Sequence, residues 1–452
     1  MKTLLNHILV DKHLCMCYNP YIHISSNKIE GVYIMQTQFK NTLYGDGIHD
    51  DLPAIQEMLD SGVRCVTLPL PKVKYIISSA INIHSNQELR LDRYALISLK
   101  DGANSLMIRT GFDGDVCRNV KISGGIWDMN HNNQNPNPWH FPNPATGKKS
   151  YDVLAERGIH PAIAPLPENA YVADNQDFPE DVYTGHCMVF KNTKNFYIGN
   201  LTIRNPVVYG MDLYRVEDFT VENIDFDYTE GSPKLWNMDG VHIEGYCKNG
   251  FIHNLKGACH DDTVALTSDD SFFNGPIENI TVDGIYGENS HSGVRLLSRT
   301  YPVRNVHITN VYGSYYAYAV VLSKYSELPE RSGFENINID NIFARLCPGT
   351  VDVAGNRRPL IWIGEDIDVK NLTVSNLHRN EIHNPNPTIG INKGSSVSNL
   401  SVANCTQTNS TEGEMPFIHN EGTIKKLYAY NVETDDDVFI KNDGVVEKET
   451  VM

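Results

Sequence analysis

Three short polar segments near the middle of the chain carry residue types suited to acid–base catalysis. They read Asn-Met-Asp-Gly at 237–240, His-Asp-Asp at 260–262 and Ser-His-Ser-Gly at 290–293. Carboxylates held close together cannot all ionise, so one of them keeps its proton near neutral pH. Hydrolysis of a glycosidic bond needs one protonated carboxyl group for the leaving oxygen and one ionised group for water. The candidate catalytic residues are Asp239, Asp261, Asp262 and His291.

These segments can form one site only if the chain returns to the same place with a matching period. Asp261 follows Asp239 by 22 residues, and His291 follows Asp262 by 29. A short pattern recurs over the chain: Asn, apolar, any residue, aliphatic, any residue, then Asn or Gly. Its copies, with some substitutions, begin at 119, 195, 218, 249, 279, 305, 336, 371, 399 and 426. From 195 onward the copies lie 23 to 35 residues apart, which is typical of repeat architectures.

The repeat predicts the fold class. Apolar residues alternate within each copy, which indicates strands, and strands this short bury a core only when successive coils stack. The terminal Asn or Gly suits a bend at positive φ, and stacked Asn side chains can hydrogen-bond from coil to coil. A propeller or a leucine-rich repeat would need a different period or helical segments. We predict an all-β, single-stranded right-handed parallel β-helix.

The rest of the chain predicts how this solenoid is bounded and interrupted. Asp50 and Asp51 stand where a helix N-cap should be, and apolar residues follow at helical spacing, so a short helix should cap the open end. We divide the chain into an N-terminal extension at 1–40 and a β-helix domain at 41–452. A long insertion at 128–186 is rich in Asn and Pro and contains Trp139, Phe141 and Tyr151. We expect it to form an ordered wall beside a cleft.

In their order and spacing, the three polar segments resemble the Asn-Thr-Asp, Gly-Asp-Asp and Gly-His-Gly motifs of the polygalacturonase-like glycoside hydrolases, family 28. The resemblance implies the pectin-lyase-like β-helix fold and inverting hydrolysis of galacturonide bonds. It also implies roles: Asp261 as the general acid, Asp239 and Asp262 as the groups that activate water, and His291 as the residue that tunes the acid or holds substrate. Asn237 would then orient the first carboxylate.

One expected motif is missing. The family carries Arg-Ile-Lys one coil after the histidine, where it binds the uronate carboxylate by charge-assisted hydrogen bonds. Here 319–324 reads Ala-Val-Val-Leu-Ser-Lys, so the Arg is absent and only Lys324 survives, slightly displaced. Arg295 and Arg299 are the nearest substitutes. We place them and Lys324 among the candidate substrate-binding residues, together with Asn237.

Two residues beside the carboxylates complete the substrate-binding set. Trp236 precedes Asn237 and offers an aromatic face on which a sugar can stack, although a core role is equally compatible with its position. His260 stands where the family has Gly and lies next to Asp261. The partner that these residues imply is a polysaccharide or oligosaccharide. If the 128–186 insertion closes one end of the groove, the enzyme would remove terminal sugars.

Two other functions compete with hydrolysis. A β-helix polysaccharide lyase would hold Ca²⁺ with carboxylates such as Asp261, Asp262 and Asp269, and would need Lys or Arg as the base; no such residue is adjacent in sequence to this trio. A non-catalytic glycan-binding or phage tail-type protein could use the same fold. Trimeric tail shafts expose apolar strands, and the polar alternation here argues mildly against that reading.

Composition limits the partners further. A formal net charge of -17 argues against binding to nucleic acid or an anionic membrane, and no apolar run is long enough to span a bilayer. The nine cysteines show no metal-ligand spacing, so we expect no metal and no cofactor. The N-terminus is a poor signal peptide, which favours the cytoplasm unless that segment is processed for export. The oligomeric state stays open.

Overall fold

The structure, a computed structural model, describes most of the chain. The described residues are 16–17, 39–112, 114–159, 179–231, 234–269, 272–324, 332–349, 358–436 and 438–452. The predicted N-terminal extension at 1–40 lies almost entirely outside them, so its separation from the β-helix stays a prediction. Among the described residues, no helix is both long enough and apolar enough to cross a membrane.

The described residues form strands β1 to β27, two α-helices and one 3-10 helix. The strands are, in chain order, Met16–Cys17, Cys65–Leu68, Tyr75–Ile77, Ile81–Asn82, Glu88–Leu91, Leu96–Leu99, Ile108–Thr110, Cys117–Ser123, Ile126–Asp128, Met188–Arg204, Met211–Asp227, Val241–Ile243, Lys248–Lys256, Asp262–Thr267, Ile277–Leu297, Val303–Ser323, Ser332–Leu346, Ile361–Ile363, Ile367–Glu381, Ile389–Ile391, Ser396–Asn409, Ile418–Asn420, Thr423–Ile424, Leu427–Thr434, Ile440–Asn442, Val445–Val446 and Glu449–Val451. The helices are α1 (Leu52–Asp60) and α2 (Ser150–Glu156), and the 3-10 helix is His131–Asn133.

Every strand pair between successive coils is parallel, so the chain winds as one continuous solenoid. In β15 and β16, for example, Val282 pairs with Ile308 and Val294 pairs with Val320, across a coil of 26 residues. The predicted single-stranded right-handed parallel β-helix is confirmed. Long strands such as β15 run through two bends, which explains why one strand contributes to more than one face of the coil.

The core consists of inward-facing columns with one aliphatic residue per coil. One such column contains Ile198, Val221, Ile252, Val282 and Ile308, all fully buried. Burying an aliphatic side chain of this size contributes about 1.5–3 kcal/mol, and the contribution repeats with every coil. The alternation of apolar and other residues in the sequence therefore arises because successive side chains of a strand face the core and the exterior in turn.

Asparagines at the bends hold neighbouring coils together, as predicted. Asn249, Asn279 and Asn305 adopt φ values of 57°, 59° and 55°, a left-handed conformation that Asn tolerates better than most residues. The side-chain amide of Asn279 donates to Asn249 Oδ1 at 3.0 Å, and that of Asn305 donates to Asn279 Oδ1 at 3.0 Å. The hydrogen-bonded ladder fixes the register in which the coils stack.

The predicted capping helix is confirmed as α1, which buries Ala54, Ile55, Met58 and Leu59 against the first coils. Asp51 occupies the N-cap position, but its side chain makes no capping hydrogen bond. Its buried carboxylate instead accepts hydrogen bonds from the backbone amides of Tyr44 (2.6 Å), Gly45 (3.0 Å) and Ile76 (3.1 Å). Asp51 thus connects the turn at Tyr44 and Gly45 to the first coil through its contact with Ile76, which is distant in sequence.

Candidate active site

The polar segments lie at the edge of one face of the solenoid, which we call the site sheet. It is made of the segments 188–190, 211–213, 241–243, 264–266, 294–296, 320–322, 361–363, 389–391 and 418–420. The amide of Gly240 donates to the carbonyl of Asp262 at 2.9 Å, and Asp262 pairs with Ser292 in the next coil. The three segments therefore occupy successive coils, as their spacing predicts.

Asp261, Asp262 and His291 come together at this edge. One side-chain oxygen of each carboxylate and one ring nitrogen of the histidine all lie within 4.8 Å of one another. The distance from His291 Nδ1 to Asp261 Oδ1 is 3.5 Å. Of the two carboxylates, Asp261 is the accessible one, with 24% of its side chain exposed.

The environment of Asp261 favours its protonated form. Burial, followed by the negative charges of Asp239 and Asp262, raises the pKa of Asp261 to about 7, although His291 and Arg295 partly oppose the rise. A carboxyl group with a pKa near neutrality can give up its proton and take it back at physiological pH. Asp261 is therefore suited to donate a proton to a leaving oxygen.

Asp262 is fully buried and is contacted by two hydroxyl donors and one arginine. Its Oδ1 accepts hydrogen bonds from Ser292 Oγ at 2.5 Å and from the Tyr318 hydroxyl at 3.0 Å. Its Oδ2 lies 2.9 Å from Arg295 Nε. Arg295, predicted as a substrate-binding residue, thus pairs with a candidate catalytic residue. Tyr318 was missed by the sequence reasoning, although it lies in β16, directly before the segment 319–324 in which the absent Arg was sought.

Asp239 is also buried, and a histidine of the strand that follows it, β12, lies against its carboxylate. Its Oδ2 lies 2.8 Å from His242 Nδ1, and the other ring nitrogen of His242 lies 2.9 Å from Thr267 Oγ1. The His242 ring stacks on Tyr209 with 4.0 Å between centroids. The contacts with Thr267 and Tyr209 fix the tilt of the imidazole, and so the position of Asp239. Nothing in the sequence marked His242, because Thr267 and Tyr209 lie in neighbouring coils.

A second buried histidine extends this network beneath the site sheet. His186 stacks on the other side of Tyr209, with 4.7 Å between centroids, and its Nδ1 lies 2.9 Å from Asp212 Oδ2. The hydroxyl of Tyr214 donates to the same carboxylate oxygen. The polar groups behind Asp239 are thus linked by close polar contacts and stacked rings over several coils.

The long insertion contributes a wall next to Asp239. Phe141 stacks on Trp236 with 5.9 Å between centroids, and His140 meets the same ring edge-on at 5.3 Å. The side-chain amide of Asn137 donates to Asn237 Oδ1 at 3.0 Å. Asn237 is therefore bound to the insertion, and its left-handed backbone (φ 56°) turns the chain into the site.

The described part of the insertion is ordered in the way its aromatic residues indicate. Trp139 is buried and donates from Nε1 to the Thr184 carbonyl at 3.0 Å, while Ser150 opens α2 and donates to the Tyr183 carbonyl. The remainder, 160–178, falls outside the described residues.

Of the other predicted binding residues, one lies beside Asp261 and two lie on the far side of the site sheet. His260 donates from Nε2 to the Tyr228 carbonyl at 3.0 Å, so its side chain is fixed to the backbone beside Asp261. Arg299 lies at the opposite end of the site sheet. Its Nε is 3.9 Å from Asp269, whose buried carboxylate accepts the amides of residues 299–301. Lys324 follows the end of β16 and belongs to that same distant end.

The model of the glycosyl hydrolases family 28 matches residues 175–292. This segment contains all four candidate catalytic residues. The resemblance to family 28 is confirmed. The matched segment ends before Arg295 and before the coil in which the family's Arg-Ile-Lys motif is expected, so that departure lies outside the family match.

Solved structures with the same fold include family 28 enzymes. The chain is 18% identical to an exopolygalacturonase from Thermotoga maritima, covering 86% of this chain and 89% of that one, with a TM-score of 0.58. It is 16% identical to a family 28 exopolygalacturonase from Yersinia enterocolitica, covering 90% and 76%, with a TM-score of 0.53. At these identities the likeness establishes the fold.

A bacterial adhesin is similar as well. The chain is 24% identical over 225 residues to the plasmin and fibronectin-binding protein A of Streptococcus pneumoniae (strain ATCC BAA-255 / R6). The aligned region is 44% of this chain but only 28% of the relative, so most of that protein has no counterpart in the alignment.

Proposed function

We propose that this protein is a glycoside hydrolase that cleaves a pectin-like, galacturonate-containing polysaccharide or oligosaccharide by an inverting acid–base mechanism. The observation that carries the proposal is the state of Asp261: a partly exposed carboxyl group with a pKa raised to about 7, flanked by two buried carboxylates. The match to glycosyl hydrolase family 28 over the same residues supports it.

Each residue then has a defined task. Asp261 donates its proton to the glycosidic oxygen. His291, whose Nδ1 lies 3.5 Å from Asp261 Oδ1, tunes the acidity of that carboxyl group. Asp239 and Asp262 draw a proton from the attacking water, with their charges stabilised by His242 and Arg295. In an inverting mechanism different carboxyl groups act on the two faces of the sugar, which is the reason for assigning the acid and the base to different residues.

The insertion favours removal of sugars from chain ends. Phe141 and Trp236 form a stacked pair beside Asn237 and so limit the groove on the side of Asp239. A wall there would let only a terminal unit pass the point of cleavage. A time course of oligogalacturonide products distinguishes the two modes: monomer or dimer alone from the start supports end cleavage, whereas a ladder of intermediate lengths refutes it.

The deciding experiment for hydrolysis is a reducing-sugar assay over a panel of pectic and neutral glycans. Wild-type protein, Asp261→Asn and the exposed surface variant Asp115→Asn should be compared. We expect activity on at least one pectic glycan, a loss of about 100- to 10,000-fold in Asp261→Asn, and no loss in Asp115→Asn. Wild-type protein that is inactive on the whole panel refutes the proposal.

One observation favours a second candidate function, non-catalytic glycan binding. The side chains of Asp239 and Asp262 have almost no exposure, so water reaches them only if the site opens when substrate binds. The similarity to an adhesin named for binding plasmin and fibronectin points in the same direction. Equal glycan binding by wild type and Asp261→Asn, without turnover by either, supports this alternative.

A lyase is less well supported. Asp269 uses both carboxylate oxygens to hold the backbone of 299–301 instead of joining Asp261. Arg295 also places a cation 2.9 Å from Asp262 Oδ2, where a bound Ca²⁺ would meet a like charge. An unsaturated, ultraviolet-absorbing product whose formation stops with a chelator would establish the lyase instead.

A further inference from the structure

Two arginines that follow His291 in the chain, Arg295 and Arg299, each already lie beside a carboxylate. Arg295 pairs with Asp262, and Arg299 lies beside Asp269 at the far end of the site sheet. A galacturonate chain carries one carboxylate per sugar, and burying such a charge in a groove needs a paired cation. A cation that pairs with the sugar carboxylate must then lie further along the groove, away from the position of the family's Arg-Ile-Lys motif.

We infer that Arg358, stacked on Trp362, binds the carboxylate of an acidic sugar at a subsite beyond the cleavage point. The inference rests on the proposed function, because it takes the cluster at Asp261 as the place where the bond is cut. Four observations carry it: the position of Arg358 in the coil, its contact with Trp362, its lack of a carboxylate partner among the described residues, and the cavity in front of it.

Arg358 precedes the site sheet by the same number of residues as Asp261 and His291 do. Ala265, Arg295, Val321 and Trp362 pair in successive coils of the site sheet. The residues four positions before them are Asp261, His291, Ala317 and Arg358. Neighbouring strands lie about 4.8 Å apart, so Arg358 is three steps, or about 14 Å, from Asp261 along the solenoid axis. A sugar chain lying across the coils would pass both residues.

The guanidinium of Arg358 is held in a defined orientation. Its Cζ lies 3.9 Å from the centre of the Trp362 ring. Trp362 in turn packs on a small apolar cluster of Ala317, Tyr318 and Val321, which is separate from the main core. Stacking on an aromatic face leaves the edge of the guanidinium free, and that edge matches a carboxylate with two parallel hydrogen bonds.

Among the described residues, no carboxylate pairs with Arg358: no Asp or Glu oxygen there lies within 4.0 Å of its guanidinium. Burial lowers the pKa of Arg358, and the more distant charge of Glu365 offsets this only in part. A half-buried arginine without a counter-ion is costly for the fold. An incoming carboxylate would remove that cost, so the residue favours an anionic ligand over a neutral one.

The space in front of Arg358 fits this role. A cavity of about 370 Å³ is lined by Arg358, Trp362, Asn386, Asn392 and, on its far side, Glu421. Glu421 follows His419, which lies two coils beyond Trp362, or about 10 Å away. At that distance its charge is largely screened at physiological ionic strength, where the Debye length is about 8 Å. The nearby arginine therefore dominates the potential.

The test compares a charged and an uncharged ligand of the same shape. Binding of tetragalacturonate and of its fully methyl-esterified form is measured by calorimetry on protein carrying Asp261→Asn, so that no turnover occurs. In that background, Arg358→Gln is compared with Arg304→Gln, a control that removes a partly exposed arginine paired with Glu278 on another face. We expect Arg358→Gln to weaken tetragalacturonate binding about 10- to 100-fold and the ester less than about 2-fold, and Arg304→Gln to change neither.

The outcomes separate the inference from the proposed function. If wild-type protein cleaves pectic glycans but Arg358→Gln weakens both ligands equally or neither, the inference is wrong and the hydrolase stands. If wild-type protein cleaves nothing but Arg358→Gln selectively weakens tetragalacturonate, the subsite stands and the hydrolase falls. If tetragalacturonate does not bind at all, the inference is refuted.

Discussion

Replacing Asp261 by Asn should make the protein more stable at neutral and alkaline pH while it abolishes the proposed catalysis. In the folded protein, burial and the charges of Asp239 and Asp262 raise the pKa of Asp261 to about 7 from an ordinary value of 3.8. Ionising this carboxyl group inside the site therefore costs free energy that the unfolded chain does not incur. Asn has nearly the same shape and cannot ionise.

The size and pH range of the effect follow from this pKa. The folded and unfolded values differ by about 3, and each pKa unit corresponds to about 1.36 kcal/mol, so the carboxylate lowers the free energy of unfolding by at most about 4 kcal/mol. Below the unfolded pKa both states hold the proton and nothing is lost. Between about pH 4 and pH 7 the unfolded chain releases its proton first, so stability falls with rising pH and then levels off.

Urea unfolding of wild type, Asp261→Asn and Asp115→Asn at about pH 4 and about pH 8 measures this directly. Asp261→Asn should gain up to about 4 kcal/mol over wild type at the higher pH and almost nothing at the lower one. The exposed Asp115 serves as the control and should show no such pH dependence. A gain that is the same at both pH values, or a loss at the higher one, refutes the raised pKa and the protonated acid built on it.

Three further predictions concern other parts of the molecule. His242→Gln should lower kcat about 10- to 100-fold with little change in KM, because Asp239 loses its positioning contact. His242→Asn should keep more activity, because its amide can reach the same oxygen of Asp239. Equal losses of kcat in the two variants would contradict a positioning role for His242. Gly313→Ala should lower the free energy of unfolding by more than about 4 kcal/mol, measured by denaturant titration, because φ is 121° and a methyl group would collide with a carbonyl of the neighbouring coil. Trp236→Ala should weaken oligogalacturonide binding about 5- to 10-fold in calorimetry. Removing the exposed ring of Tyr286, on another face, should leave this binding unchanged. A large loss of stability in Trp236→Ala would instead assign the Trp236 ring to the core.

Much of the fold could be predicted from local sequence because every coil of the solenoid has the same structural requirements. Each coil must turn at a position that accepts positive φ and must present an aliphatic residue inward, so the same letters recur with every coil. Asn249, Asn279 and Asn305 show this most clearly, since the residue that makes the bend also makes the hydrogen bond to the next coil. The same period brought Asp261, Asp262 and His291 to one edge.

The parts of the site that sequence reasoning missed depend on contacts whose spacing is irregular. Tyr318 reaches Asp262 across two coils, and His242, three residues after Asp239, is held by Thr267 and Tyr209 of neighbouring coils. Arg358 takes the same position before the site sheet as Asp261 only after a coil of 41 residues between Val320 and Ile361, longer than any of the repeats around it. Loop length varies freely in a solenoid because loops lie outside the stacked strands, so position in sequence does not give position in the column.

The sequence by itself therefore determined the solenoid, its bends and the three carboxylates with their histidine, because these follow from local backbone preference and a repeating period. Only the tertiary structure decided how each charge is held. The packed coils place Arg295 beside Asp262, leave Asp261 as the partly exposed carboxyl group with a raised pKa, and stack Arg358 on Trp362. Burial and the partner of a charged group set its protonation and its availability, and both are properties of the packed coils.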